Sequence, residues 1–216
     1  MLTLLLTRHG HTVRSEPDQY LGQRIEAPLS ERGRADAELL ADRLADVPLD
    51  RLISSPLPRA SETARILARG RVAVETDDRL MEMDYGAWEG VTLEQVENDH
   101  AADYRRYVTD PASFVFPGGE GGAQVAARVR EMIGELLDWA AGQPSPPTVL
   151  AVGHSSLNRI MLAVLLDVPL PDYRRRFQFD WASLTVLRWP SPDDGPMLLL
   201  ANDVGHLREL RGEGWR

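Results

Sequence analysis

The alternation of apolar and polar positions predicts the elements of this chain. A near-continuous apolar run, Leu2 to Leu6, is too short for a helix and reads as a buried parallel strand. Ser30 stands as an N-cap before Ala37, Leu40, Ala41 and Leu44, which recur at helical spacing until Pro48. Leu49 to Ser54 reads as a second strand. Ser55-Pro56 opens the next helix, with proline in its first turn. Val72 to Val74 is a third strand. From Leu80 to about Gly122 the pattern is irregular and rich in aromatics, with at least one helix expected around Thr92 to Tyr107. Val125, Val129, Met132, Ile133, Leu136, Leu137 and Ala140 then mark one face of a long helix. After a proline-rich linker (Gln143 to Pro147), Thr148 to Val152 repeats the opening strand, and Leu157, Ile160, Met161 and Val164 mark the helix behind it. Ser183 to Trp189 and Met197 to Ala201 read as closing strands. This alternation predicts an α/β fold, a three-layer α/β/α sandwich on a mostly parallel sheet. Residues 1–216 form one unit, and the stretch of about 80–122 is an inserted, partly helical lid.

Composition changes this picture little. Of 216 residues, 43% are hydrophobic and 26% charged, as in an ordinary globular chain. No cysteine is present, which rules out disulfides, thiolate metal sites and thiol nucleophiles. The Leu2 to Leu6 run lacks a basic leader and meets Arg8-His9 at once. No signal peptide is therefore expected, no run approaches a membrane span, and the expected setting is the cytoplasm. A net charge of −9 argues against nucleic acid and means that an anionic substrate needs a local positive site. All 24 basic residues are arginine, the better residue for bidentate phosphate binding.

The candidate chemistry sits at two strand ends. His9 follows the first strand and His154 follows the strand at Thr148 to Val152, so neighbouring strands would bring both rings to one edge of the sheet. Neither histidine has the i, i+4 spacing of a zinc pair, and nearby acids form no ligand pattern; no metal and no cofactor are expected. Arg8, Arg59 near a helix start, and the amino end of the helix after His154 suit a phosphate site.

Several ordered blocks carry a resemblance. They are Thr7-Arg8-His9-Gly10-His11-Thr12, Pro28 to Gly33, Ser54 to Ala64, Leu80 to Gly90, Pro117 to Glu120 and Gly153-His154-Ser155, with Asn202 to Leu207 similar to a terminal strand. Together they resemble the histidine phosphatase superfamily, the phosphoglycerate-mutase-like proteins, along nearly the whole chain. The resemblance implies a metal-independent phosphomonoesterase that acts through a phosphohistidine on a small phosphorylated metabolite. His9 would be the nucleophile, kept neutral by Arg8 and Arg59, which also grip the phosphoryl oxygens. His154 would be a charged further donor, and Glu82 the general acid and then base. His11, Ser15, Gly22, Gln23 and Ser155 would border the substrate, and Arg105-Arg106 would bind a carboxylate or second phosphate.

Ser15 stands where many members carry asparagine, and Ser155-Ser156 where glycine usually follows the second histidine. A mutase reading is the alternative, although members of that branch use a lysine this chain lacks. A non-catalytic phosphoryl-binding module is a third. A homodimer is possible, with no nucleic-acid or membrane partner. His100, His206 and the run Tyr173-Arg174-Arg175-Arg176 are read as structural or solvated.

Overall fold

The computed structural model describes residues 1–191 and 194–207. Six strands form one sheet: β1 (Leu2–Arg8), β2 (Arg51–Ser54), β3 (Val74–Thr76), β4 (Thr148–Gly153), β5 (Leu184–Trp189) and β6 (Met197–Asp203), in the order β3-β2-β4-β1-β5-β6. β1, β2, β3 and β4 run parallel, while β5 and β6 close the sheet antiparallel. The mostly parallel α/β/α reading therefore holds, with the opening strand near the centre of the sheet.

Side chains alternate across β1, and the two layers follow from that. Leu2, Leu4 and Leu6 join a cluster with Val129, Ile133 and Leu136 of α5 (Gly122–Ala141) and Leu157, Ile160 and Met161 of α6 (Ser155–Leu165). Leu5 faces the other way, onto Leu40 and Leu44 at α1 (Glu31–Arg43) and Ala60, Ala64 and Leu67 of α2 (Pro58–Ala68). Ser30 caps α1, its side chain accepting from Gly33 N at 3.1 Å.

Three boundaries differ from the sequence reading. α2 begins at Pro58 rather than at Ser55-Pro56, because Ser55 Oγ accepts from Leu57 N at 3.2 Å and folds those residues into a turn. The third strand lies at Val74–Thr76. β6 stops at Asp203, and Gly205–Leu207 form a 3-10 turn instead of a strand: Asn202 has φ 46°, and Gly205 N donates to Asp203 Oδ1.

The stretch of about 80–122 holds two helices, α3 (Leu93–Asp99) and α4 (Ala101–Thr109), divided at His100. Thr92 and Gln95 form a capping box at the start of α3. Trp88 is fully buried, ringed by Tyr107, Phe114 and Phe116 in edge and tilted contacts. The segment thus shares its core with α5 and α6, as expected for aromatics that pack rather than stack on substrate. A last short helix, α7, covers Tyr173–Arg176. No helix among the described residues is long and apolar enough to cross a membrane.

Candidate active site

The strand ladder brings the two histidines together. β1 and β4 pair with Arg8 opposite Gly153, and His9 N donates to Gly153 O at 3.1 Å. Each histidine follows one of these paired residues, and the ring centroids of His9 and His154 lie 5.1 Å apart, tilted by 58°. The loop after β1 makes a close crossing over the start of α1. A Cβ on Gly33 would lie 1.9 Å from His11 O, and one on Gly10 2.4 Å from Gly33 O, so only glycine fits either place. Gly10 N donates to Thr63 Oγ1, which itself donates to Arg59 O, so one threonine ties α2 to the His9 loop.

His9 Nδ1 lies 2.7 Å from Gly10 O. A carbonyl can only accept, so Nδ1 carries the proton and the neutral ring has its lone pair on Nε2. Burial pushes His9 well below the usual histidine range, and the Arg59 and Arg8 cations add to that; the Gly10 hydrogen bond opposes it. The sequence reading assigned this effect to the arginines, but burial comes first. His154, with no exposed surface, is lowered for the same reasons: burial, then Arg59 and His9. The sequence reading had His154 charged as a donor to a phosphoryl group; without that group, burial and the surrounding cations hold it well below the usual histidine range. Its ring is neutral until an anion offsets the surrounding cations.

Arg59 is 1% exposed. Its Nη2 donates to Leu21 O and Gly22 O at 3.0 and 2.8 Å, while Nε and Nη1 are buried without a partner among the described residues. Arg8 Nη1 donates to Phe179 O, its guanidinium carbon lies 4.5 Å over the Trp181 ring, and burial lowers its pKa to about 10, still charged at neutral pH. Buried donors left open beside two imidazoles are what a phosphoryl group would satisfy.

Glu82 reaches the amino end of α6. Its Oε2 accepts from Ser156 N, and Oε1 accepts from Leu157 N and Met83 N, at 2.9 to 3.1 Å. The carboxyl therefore caps a helix whose N-cap residue is His154 itself. Ser156 Oγ hydrogen-bonds with Tyr85 OH at 2.8 Å, which bolts the same turn to the aromatic segment.

These groups border or underlie a cavity of about 320 Å³ lined by Arg8, His9, Ser15, Glu82 and Ser155. Gly22 and Gln23 act from behind it. Gly22 O holds Arg59, and Gln23 Nε2 donates to Glu82 O at 2.8 Å. His11 does not line the cavity; it is buried edge-on against Trp181, with Nδ1 at 3.1 Å from Ser30 Oγ. Arg105 and Arg106 also stay out. They line a separate groove with Phe114, and Arg106 pairs with Asp103 one turn back. Conversely, the cavity wall includes Asp18, Tyr20, Arg159, Arg174 and Trp181, which sequence reasoning missed. Arg159 lies one turn after Ser155 on α6, a spacing that could have revealed it. Among the described residues no group of three or more His, Asp or Glu side chains is placed to hold a metal ion.

The family model for the histidine phosphatase superfamily (branch 1) matches residues 4–204, and the chain belongs to that superfamily. It is a phosphoric monoester hydrolase, the class to which its phosphatase-named relatives belong. The chain is similar to phosphoserine phosphatase 1 from Hydrogenobacter thermophilus, 34% identical over 211 residues, 97% of this chain and 96% of that protein. It is similar to glucosyl-3-phosphoglycerate phosphatase from Mycobacterium tuberculosis, 34% identical over 176 residues, 79% of this chain and 78% of the relative. Among solved structures, YhfR from Bacillus stearothermophilus superposes with a TM-score of 0.87 at 29% identity, covering 96% of this chain and all of its own.

Burial of neutral histidines has a consequence for stability. Unfolded rings titrate near pH 6.5, whereas His9 and His154 resist protonation in the fold. Below pH 6.5 the unfolded state therefore binds more protons, and stability falls as pH drops by about 1.4 kcal/mol per pH unit for each ring. Urea unfolding at pH 7.5 and 5.5 should show this loss, and a His154→Gln variant should show about one proton less of pH dependence. An unchanged slope in the variant would mean that His154 is protonated in the native protein.

Proposed function

We propose that the chain hydrolyses phosphomonoesters of small metabolites through a phosphohistidine on His9, in a cytoplasmic setting and without a metal. The reading is carried by one observation: a buried histidine with Nδ1 committed to Gly10 O and no hydrogen bond on Nε2 among the described residues, set beside a second imidazole and two arginines with open donors. Nε2 attacks phosphorus and forms the N–P bond as the P–O bond to the substrate breaks. Arg8, Arg59 and His154 take the equatorial oxygens, where charge collects. Glu82 gives a proton to the departing alkoxide and takes one back from the water that cleaves the N–P bond.

Two measurements test this. Release of p-nitrophenol from p-nitrophenyl phosphate should be unchanged by excess EDTA; chelator-sensitive turnover would refute the metal-independent mechanism. Glu82→Gln should reduce kcat on alkyl phosphates by about 10²-fold or more, and less on the aryl ester, whose leaving group needs little protonation. Equal losses on both would remove Glu82 from the acid role. The mutase alternative predicts transfer to a phosphoglycerate acceptor rather than release of inorganic phosphate, which the same assays resolve by product.

A further inference from the structure

The cavity is larger than a phosphoryl group requires, and its outer wall is cationic in a protein with a net charge of −9. Arg174 and Arg159 line that wall, and neither has an ion pair among the described residues. The neighbours of Arg174 behave differently: Arg175 and Arg176 both pair with Asp172. The Arg174 guanidinium carbon instead lies 4.3 Å over the Tyr107 ring, and its surroundings are tyrosine hydroxyls rather than carboxylates. Stacking uses the face of the guanidinium and leaves its edge, a planar fork of N–H donors, free for a planar anion. Arg159 Nε is buried without a partner among the described residues. Asp18 also lines the cavity, but the cation it acts on most is Arg8; its effect on Arg159 is weaker.

We propose that Arg174, with Arg159 beside it, is a subsite for a carboxylate carried on the substrate, so that the preferred substrates are short phosphorylated hydroxy or amino acids. This rests on the phosphatase reading above and adds its specificity. The size fits, since a cavity at the lower end of the range for ligand pockets suits a compact molecule. The residues divide by role: Arg8 and Arg59 serve the phosphoryl end, and Arg174 and Arg159 the far end.

The test is a matched substrate pair, 3-phosphoglycerate against glycerol 1-phosphate, in which a carboxylate is replaced by a hydroxymethyl group. The wild-type enzyme should favour the carboxylate in kcat/KM by at least about tenfold. Arg174→Met, which keeps the stacked stem, should raise KM for 3-phosphoglycerate by about tenfold or more with little change in kcat, and bring the ratio towards unity. Arg174→Lys should restore only part of the preference. A wild-type ratio near one, or a ratio untouched in Arg174→Met, overturns the subsite. A preference for 2,3-bisphosphoglycerate that Arg174→Met removes would assign the wall to a second phosphoryl group and likewise overturn it. Turnover of p-nitrophenyl phosphate by the wild type separates the two readings: without it the phosphatase proposal itself fails, and with it only the subsite is at stake.

Discussion

Replacing His9 by alanine is expected to lower phosphate release from p-nitrophenyl phosphate by at least about 10⁴-fold, the scale of losing a nucleophile. No other group can take its place. His154 is a neighbouring imidazole, but it is fully buried and both of its nitrogens lack a hydrogen-bond partner among the described residues, so none of their carbonyls fixes its tautomer as Gly10 O fixes that of His9. A His9→Gln variant keeps more of the volume and guards against misfolding. Rapid quenching of wild-type enzyme with a ³²P-labelled substrate should trap an acid-labile, base-stable phosphoprotein, absent from both variants. Retained turnover in either variant would end the nucleophile assignment.

Arg59→Met should separate activity from stability. Removing the guanidinium takes away a preorganised donor to the phosphoryl oxygens, which should reduce kcat/KM by about 10²- to 10³-fold. Its effect on stability runs the other way. Leu21 O and Gly22 O lose their donors, at about 1–3 kcal/mol each where water cannot replace them. Against this, a buried cation with two nitrogens unpaired among the described residues carries a desolvation cost of several kcal/mol, which Glu82 and Glu89 offset only in part. The second effect is at least as large, so the variant should unfold at a temperature equal to or above that of the wild type. Inorganic phosphate should raise the melting temperature of the wild type and have little effect on the variant. A strongly destabilised Arg59→Met protein would show that its bonds to the Leu21-Gly22 turn outweigh the cost of its charge. Arg59→Lys should not rescue activity, because a point charge cannot hold both the turn and the anion.

The parts of this protein legible in its sequence are those set by local pattern. Apolar runs at Leu2 to Leu6 and Thr148 to Val152 gave the two strands, and the histidines that follow them gave the site. Groups whose role depends on long-range placement were not legible. Arg174 sits in a run of three arginines on a four-residue helix, too short for a periodicity to show which one faces inward. Arg105-Arg106 looked better placed, but α4 turns Tyr107 into the core and leaves both arginines outside the cavity. A charge on His154 was expected from its role as a donor to the phosphoryl group; its full burial, which opposes that charge, depends on tertiary packing. The two-helix form of the aromatic stretch hinges on His100, whose φ of −127° no composition signal announces.

The pairing of β1 with β4 also determines how such an enzyme can fail and how it can diversify. Two rings that each follow the last pair of a central ladder have no hinge between them, so heat should abolish turnover only as the sheet itself comes apart. The far wall is built differently, from one turn of α7 leaning on a tyrosine of α4, and neither belongs to that ladder. Exchanging a few side chains there would retarget the catalyst while its reacting centre stayed as it is.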